Sequence, residues 1–142
     1  MLGSRLSGGE VIELRSDLGG GKTTFVRGLA KGAGSAGRVS SPTFTLNRIY
    51  KTGKFEIHHF DFYRLEEAGI LEDQLAEALS QNNVVVVEWG NIVKDLLPEE
   101  RLSIEFKPTA QSPDERQIAV QYAEKYQKLI TELQSNWQEL EP

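Results

Sequence analysis

The segment Ser16–Thr23 constrains this chain more than any other. It reads Ser-Asp-Leu-Gly-Gly-Gly-Lys-Thr and meets the phosphate-loop spacing G-x-x-x-x-G-K-[ST] at every fixed position except the first. An apolar run, Val11, Ile12 and Leu14, enters the loop as a buried strand. Phe25, Val26, Leu29 and Ala30 leave it at helical spacing. Strand, glycine turn and helix in that order make an anion site. The glycines let backbone N–H groups converge on phosphate oxygens, and the helix adds its positive end. Lys22 is placed to reach β- and γ-phosphates, and the Thr23 hydroxyl to ligate Mg²⁺. The expected nucleotide-binding residues are Asp17, Leu18, Gly19, Gly20, Gly21, Lys22, Thr23 and Thr24. Ser16 stands where the first glycine belongs, and a Cβ there is expected to tighten the exit from the strand.

The rest of the chain alternates strand and helix signals, which predicts an α/β fold: a mixed sheet with flanking helices. Gly32, Gly34 and Gly37 end the first helix. Thr43–Tyr50 and Lys54–Phe60 read as a hairpin turning at Thr52 and Gly53. Leu65, Ala68, Leu71, Leu75, Ala78 and Leu79 form one helical stripe. Val84–Trp89 is β-branched and apolar, which predicts a central strand covered on both faces. Ile92–Leu97 reads as a helical turn closed by Pro98, and Leu102–Phe106 and Gln117–Val120 as two late strands. Tyr122, Tyr126, Leu129, Ile130, Leu133 and Trp137 recur at three and four residues and predict a C-terminal amphipathic helix. The expected organisation is a nucleotide-binding domain over 1–120 and a helical extension over 121–142, packed on the same domain or on a partner.

A phosphate loop binds phosphate; hydrolysis also needs a metal-holding group and a placed water. Carboxylates ending apolar strands are the expected source. Glu88 closes Val84–Val87 in this way, and Asp61 closes Phe55–Phe60 less cleanly. Either could hold Mg²⁺ through water or orient the attacking water, and spacing does not divide the two roles. Thr43, in Ser40-Ser41-Pro42-Thr43-Phe44, lies where a nucleotide-sensing loop would reach Mg²⁺ or the γ-phosphate. The Mg²⁺ set is therefore Thr23, Glu88 and Thr43, and the catalytic set Asp61, Glu88 and Thr43. Trp89 is a candidate neighbour of the nucleotide or a plain packing residue. His58 and His59 are adjacent on a strand and so point to opposite faces, which argues against a histidine metal site.

Bulk properties narrow the class. The chain has 142 residues, enough for one domain, and no cysteine, which excludes a disulfide framework and thiolate chemistry. Its longest apolar run is far too short to span a bilayer, so a soluble cytoplasmic protein is expected. Charge is uneven. Residues 1–60 carry nine Lys/Arg against four Asp/Glu, and residues 61–142 seven against seventeen. A basic first half suits an anionic ligand such as ATP or ADP.

The strings Val11–Thr24, Ser41–Leu46 (SPTFTL), His59–Leu65 (HFDFYRL) and Val87–Trp89 (VEW), in this order and spacing, resemble the bacterial tRNA threonylcarbamoyladenosine biosynthesis ATPases, the TsaE family. The resemblance implies a P-loop ATPase using ATP and Mg²⁺. It also implies a partner, a TsaB–TsaD type heterodimer that carries the transfer chemistry and is reset by ATP hydrolysis, with tRNA met through that complex. By the same resemblance Lys22 and Thr23 match the phosphate and Mg²⁺ residues, and Thr43 matches the sensing threonine. Asp61 matches the acid of the HFD segment, and Glu88 with Trp89 the acidic-aromatic pair needed for activity. A small-molecule or nucleotide kinase and a non-catalytic nucleotide-binding assembly protein stand as alternatives. The kinase would need an acceptor pocket and a lid, and no lid-like insertion is visible. A GTPase is disfavoured because no Asn-Lys-x-Asp signature appears.

Overall fold

The computed structural model describes residues 2–16, 21–36, 47–63 and 69–138. Within them six strands form one sheet, in the order β2-β3-β4-β1-β5-β6. These are β1 (Val11–Arg15), β2 (Asn47–Lys51), β3 (Glu56–Asp61), β4 (Val84–Glu88), β5 (Leu102–Pro108) and β6 (Arg116–Tyr122). The four inner strands run parallel, and β2 and β6 close the edges antiparallel. The sheet is mixed and helices flank it, as the α/β pattern of the sequence requires.

β4 is central because its side chains can be buried on both faces. Every residue of Val84–Val87 is at most 1% exposed. One face carries Ile12, Leu14, Ile57, Val84, Val86 and Ile104, covered by α2 (Lys22–Gly32) through Val26, Leu29 and Ala30 and by α4 (Gln127–Gln138) through Ile130. The other carries Val11, Phe60, Val85 and Val87 under Leu71, Leu75 and Ala78 of α3 (Ile70–Ser80) and under Val93 and Leu97. Alternate residues of one strand therefore feed two separate cores. A short α1 (Leu2–Arg5) presses on α2 so closely that a Cβ on Gly3 would lie 2.1 Å from the Leu29 carbonyl oxygen.

The elements depart from the sequence pattern at three places. Tyr122, read as the start of the last helix, instead ends β6, where it pairs with Leu102. The ladder to β5 wins over helical periodicity there, and the helix follows a 3-10 turn at Glu124–Tyr126. β6 thus runs through the boundary expected at 120/121. Tyr126 packs into the core, and its hydroxyl accepts a hydrogen bond from the Val11 N–H at 3.3 Å. The stripe expected from Leu65 starts as described helix only at Ile70, after Gly69 at φ 53; residues 64–68 lie outside the described residues. Ile92–Leu97 is a 3-10 turn at Gly90–Val93 followed by turns. No described helix is long and apolar enough to cross a membrane.

Candidate functional site

The site lies where β1, β3 and β4 end beside the start of α2. Parallel pairing sets it up. Asp61 and Glu88 are register partners at the ends of β3 and β4, and Leu14 of β1 is the partner of Glu88 on the other side. The pairing of β3 with β4 continues one bond further, from the Phe62 N–H to the Glu88 carbonyl at 3.0 Å. Two carboxylates from chain positions far apart are thereby held side by side, and both are buried, 4% and 3% exposed.

Burial, and then the neighbouring Glu88 charge, raise the Asp61 carboxyl above its ordinary range; the Tyr63 N–H at 2.9 Å, His59 and Lys22 pull partly the other way. This is the arrangement expected of like charges placed together in a partly desolvated site. A divalent cation with hard oxygen ligands would relieve it.

Lys22 opens α2 and is itself buried. Its Nζ donates to the Ser16 carbonyl at 3.1 Å and lies 4.2 Å from the centre of the Trp89 ring. Trp89 follows Glu88 in a left-handed conformation, φ 57 and ψ 47, uncommon for a bulky residue. That conformation turns the chain out of β4 and brings the indole against Lys22 and against Tyr63, whose ring centre is 4.9 Å away. Backbone strain of this kind clusters at functional sites.

Gly21 precedes α2 at φ 97, and among the described residues a Cβ built there meets nothing within 4 Å. The positive φ by itself calls for glycine at this position. The helix starts at Lys22 straight after this glycine, so the positive end of α2 faces the site.

Lys22, Asp61, Glu88 and Trp89 therefore meet at one place, with Thr23 and Thr24 in the adjoining helical turn. Asp17, Leu18, Gly19, Gly20 and Thr43 lie outside the described residues. Two neighbours escaped the sequence reading. His59, dismissed as a metal ligand, points to the same face as Asp61 and brings Nε2 to 3.3 Å from Glu88 Oε2. Its spacing of two residues before Asp61 on a strand was the available signal. Tyr63 had none, since its contact with Trp89 depends on the turn after Glu88. Among the described residues no three His, Asp or Glu side chains form a self-contained metal cage.

The chain matches the family model described as threonylcarbamoyl adenosine biosynthesis protein TsaE over residues 1–118. It is 40% identical over 127 residues to the tRNA threonylcarbamoyladenosine biosynthesis protein TsaE of Bacillus subtilis, covering 88% of this chain and 78% of that protein. To the protein of the same name from Treponema pallidum it is 38% identical over 120 residues, 84% and 88% of the two chains. The crystal structure of Bacillus subtilis YdiB superposes with a TM-score of 0.75 at 33% identity, covering 95% of this chain and 83% of that one.

Proposed function

This chain belongs to the TsaE family of threonylcarbamoyl adenosine biosynthesis proteins, and we propose that it serves that pathway as a Mg²⁺-dependent ATPase. The observation that carries the reading is the convergence of Lys22, Asp61, Glu88 and Trp89 beside the start of α2.

In this reading the loop 17–21 and the start of α2 bind the ATP phosphates through backbone N–H groups. Lys22 leaves the Ser16 carbonyl and the Trp89 ring to neutralise the β- and γ-phosphates. Thr23 and Glu88, with Thr43, would hold Mg²⁺, which supplies positive charge against the phosphate oxygens when bound. The absence of a protein cage among the described residues suits an ion that shares its ligands between one or two carboxylates, water and phosphate. Asp61 and Glu88 orient the attacking water, and the one not engaged with the metal accepts its proton. Trp89 and Tyr63 wall the site against water.

The partner of this ATPase is a TsaB–TsaD type heterodimer, and tRNA is met through the complex. Hydrolysis by the chain alone is slow, because a phosphate site without a completing group commonly is. The test mixes the chain with the cognate heterodimer, tRNA and ATP, and follows both phosphate release and modified tRNA. Faster hydrolysis and many modified tRNAs per complex are expected. No complex, an unchanged rate and no gain in repeated turnover would overturn the proposal.

A further inference from the structure

His59 is fully buried, and among the described residues neither of its ring nitrogens has a hydrogen-bond partner. A buried polar ring left unpaired costs free energy that an apolar side chain of similar size would not. Its depth in the fold makes the choice conspicuous. His59 pairs with Val86 on β4, one step below the Asp61–Glu88 pair and on the same face, where Ile57, Val84 and Val86 are otherwise apolar. The Nε2 atom stops 3.3 Å from Glu88 Oε2, within reach but out of line for a hydrogen bond.

We propose that His59 is a positioning residue for Glu88: its Nε2–H donates to Oε2 from below and fixes the plane of the carboxylate. This leaves Oε1 to face the nucleotide side of the site. The inference rests on the reading of Glu88 as a working residue of an ATPase. Carboxylates that act on a metal or on water are themselves commonly held by a hydrogen bond from behind, and loss of that partner typically lowers activity about 10–100-fold. No such donor to Glu88 exists in an apolar alternative at position 59.

Two measurements test it. The first does not pass through turnover: long-range proton–nitrogen NMR of the full chain, which reports the tautomer of each ring. There are two histidines, so a His58→Gln variant assigns the signals. The expected result is a His59 proton on Nε2 whose nitrogen signal moves on Glu88→Gln. A proton on Nδ1, or a signal indifferent to Glu88→Gln, would overturn the proposal. The second is kinetic. His59→Leu should lower kcat about tenfold with KM for ATP within about twofold, and His59→Gln should recover most of the loss, because its amide N–H reaches the place of Nε2. Unchanged turnover in the Leu variant, or equal losses in both, would contradict it. If Lys22→Ala hydrolyses ATP as fast as the parent, the ATPase reading fails, while the ring spectrum still decides the His59–Glu88 bond.

Discussion

Asp61 and Glu88 stand at the same register on neighbouring parallel strands, so two buried carboxylates end side by side near the start of α2. If they act on water and metal, their charge matters in the transition state more than in nucleotide binding. Asp61→Asn and Glu88→Gln should each lower kcat by about 10²-fold while KM for ATP changes only a few-fold. Steady-state phosphate release at saturating and limiting ATP separates the two effects. Loss of affinity with turnover preserved would assign both residues to binding alone.

The raised carboxyl of Asp61 also makes a prediction about stability. Burial and Glu88 keep its proton on to higher pH in the folded chain than in the unfolded one, whose value is 3.8. Its stabilising share is thus full below the unfolded value and is lost as pH rises through the folded one. Asp61→Asn should melt above the parent at pH 7, and the gap should close as pH falls towards about 4. A gap independent of pH would show that the charge is not what destabilises the site.

The part of this site that was legible in the sequence is the part written in local pattern. The strand–loop–helix order around Lys22 and the apolar run ending at Glu88 each announce themselves within a few residues. Which strands neighbour each other is a different matter. That Asp61 and Glu88 are register partners follows from β4 lying between β3 and β1, a tertiary choice that no local period encodes. Tyr122 shows the opposite failure: helical spacing matched it, but a strand partner 20 residues earlier claimed it. His59 was visible as a residue and invisible as a neighbour, since the sequence does not say that Val86 and Glu88 run alongside it.

Glu13 points away from the site, to the face covered by α3, and is 3% exposed. Burial would raise its pKa, but hydrogen bonds from Arg101 at 2.8 Å and Arg15, with their charges, win and hold it below 4.5. Its stabilising share is present above the unfolded value and lost as pH falls. Arg101→Met leaves the buried carboxylate with Arg15 and Ser103 alone and should cost about 2 kcal/mol at pH 7. Urea unfolding should show that cost shrinking at pH 4. An equal cost at both values would mean that packing of Arg101, not its charge, is what counts.

Gly21 offers a way to separate the backbone of the phosphate loop from its surroundings. With φ at 97, Gly21→Ala meets no clash among the described residues, and its left-handed backbone should cost about 1 kcal/mol. Stability measured by urea should fall by that amount, whereas ATP affinity measured by calorimetry should fall at least tenfold as the N–H groups lose their aim. An Ala variant that binds ATP like the parent would show that this glycine is structural only.

The most direct test is hydrolysis by Lys22→Ala. Lys22 is a buried lysine whose charge bears on Asp61, and it is the first residue of α2. Phosphate release should be measured for parent and variant, with Mg²⁺ and with the heterodimer present. Charge stabilisation dominates phosphoryl transfer, so the variant should lose detectable hydrolysis with its fold intact. Equal rates in the two proteins would contradict it.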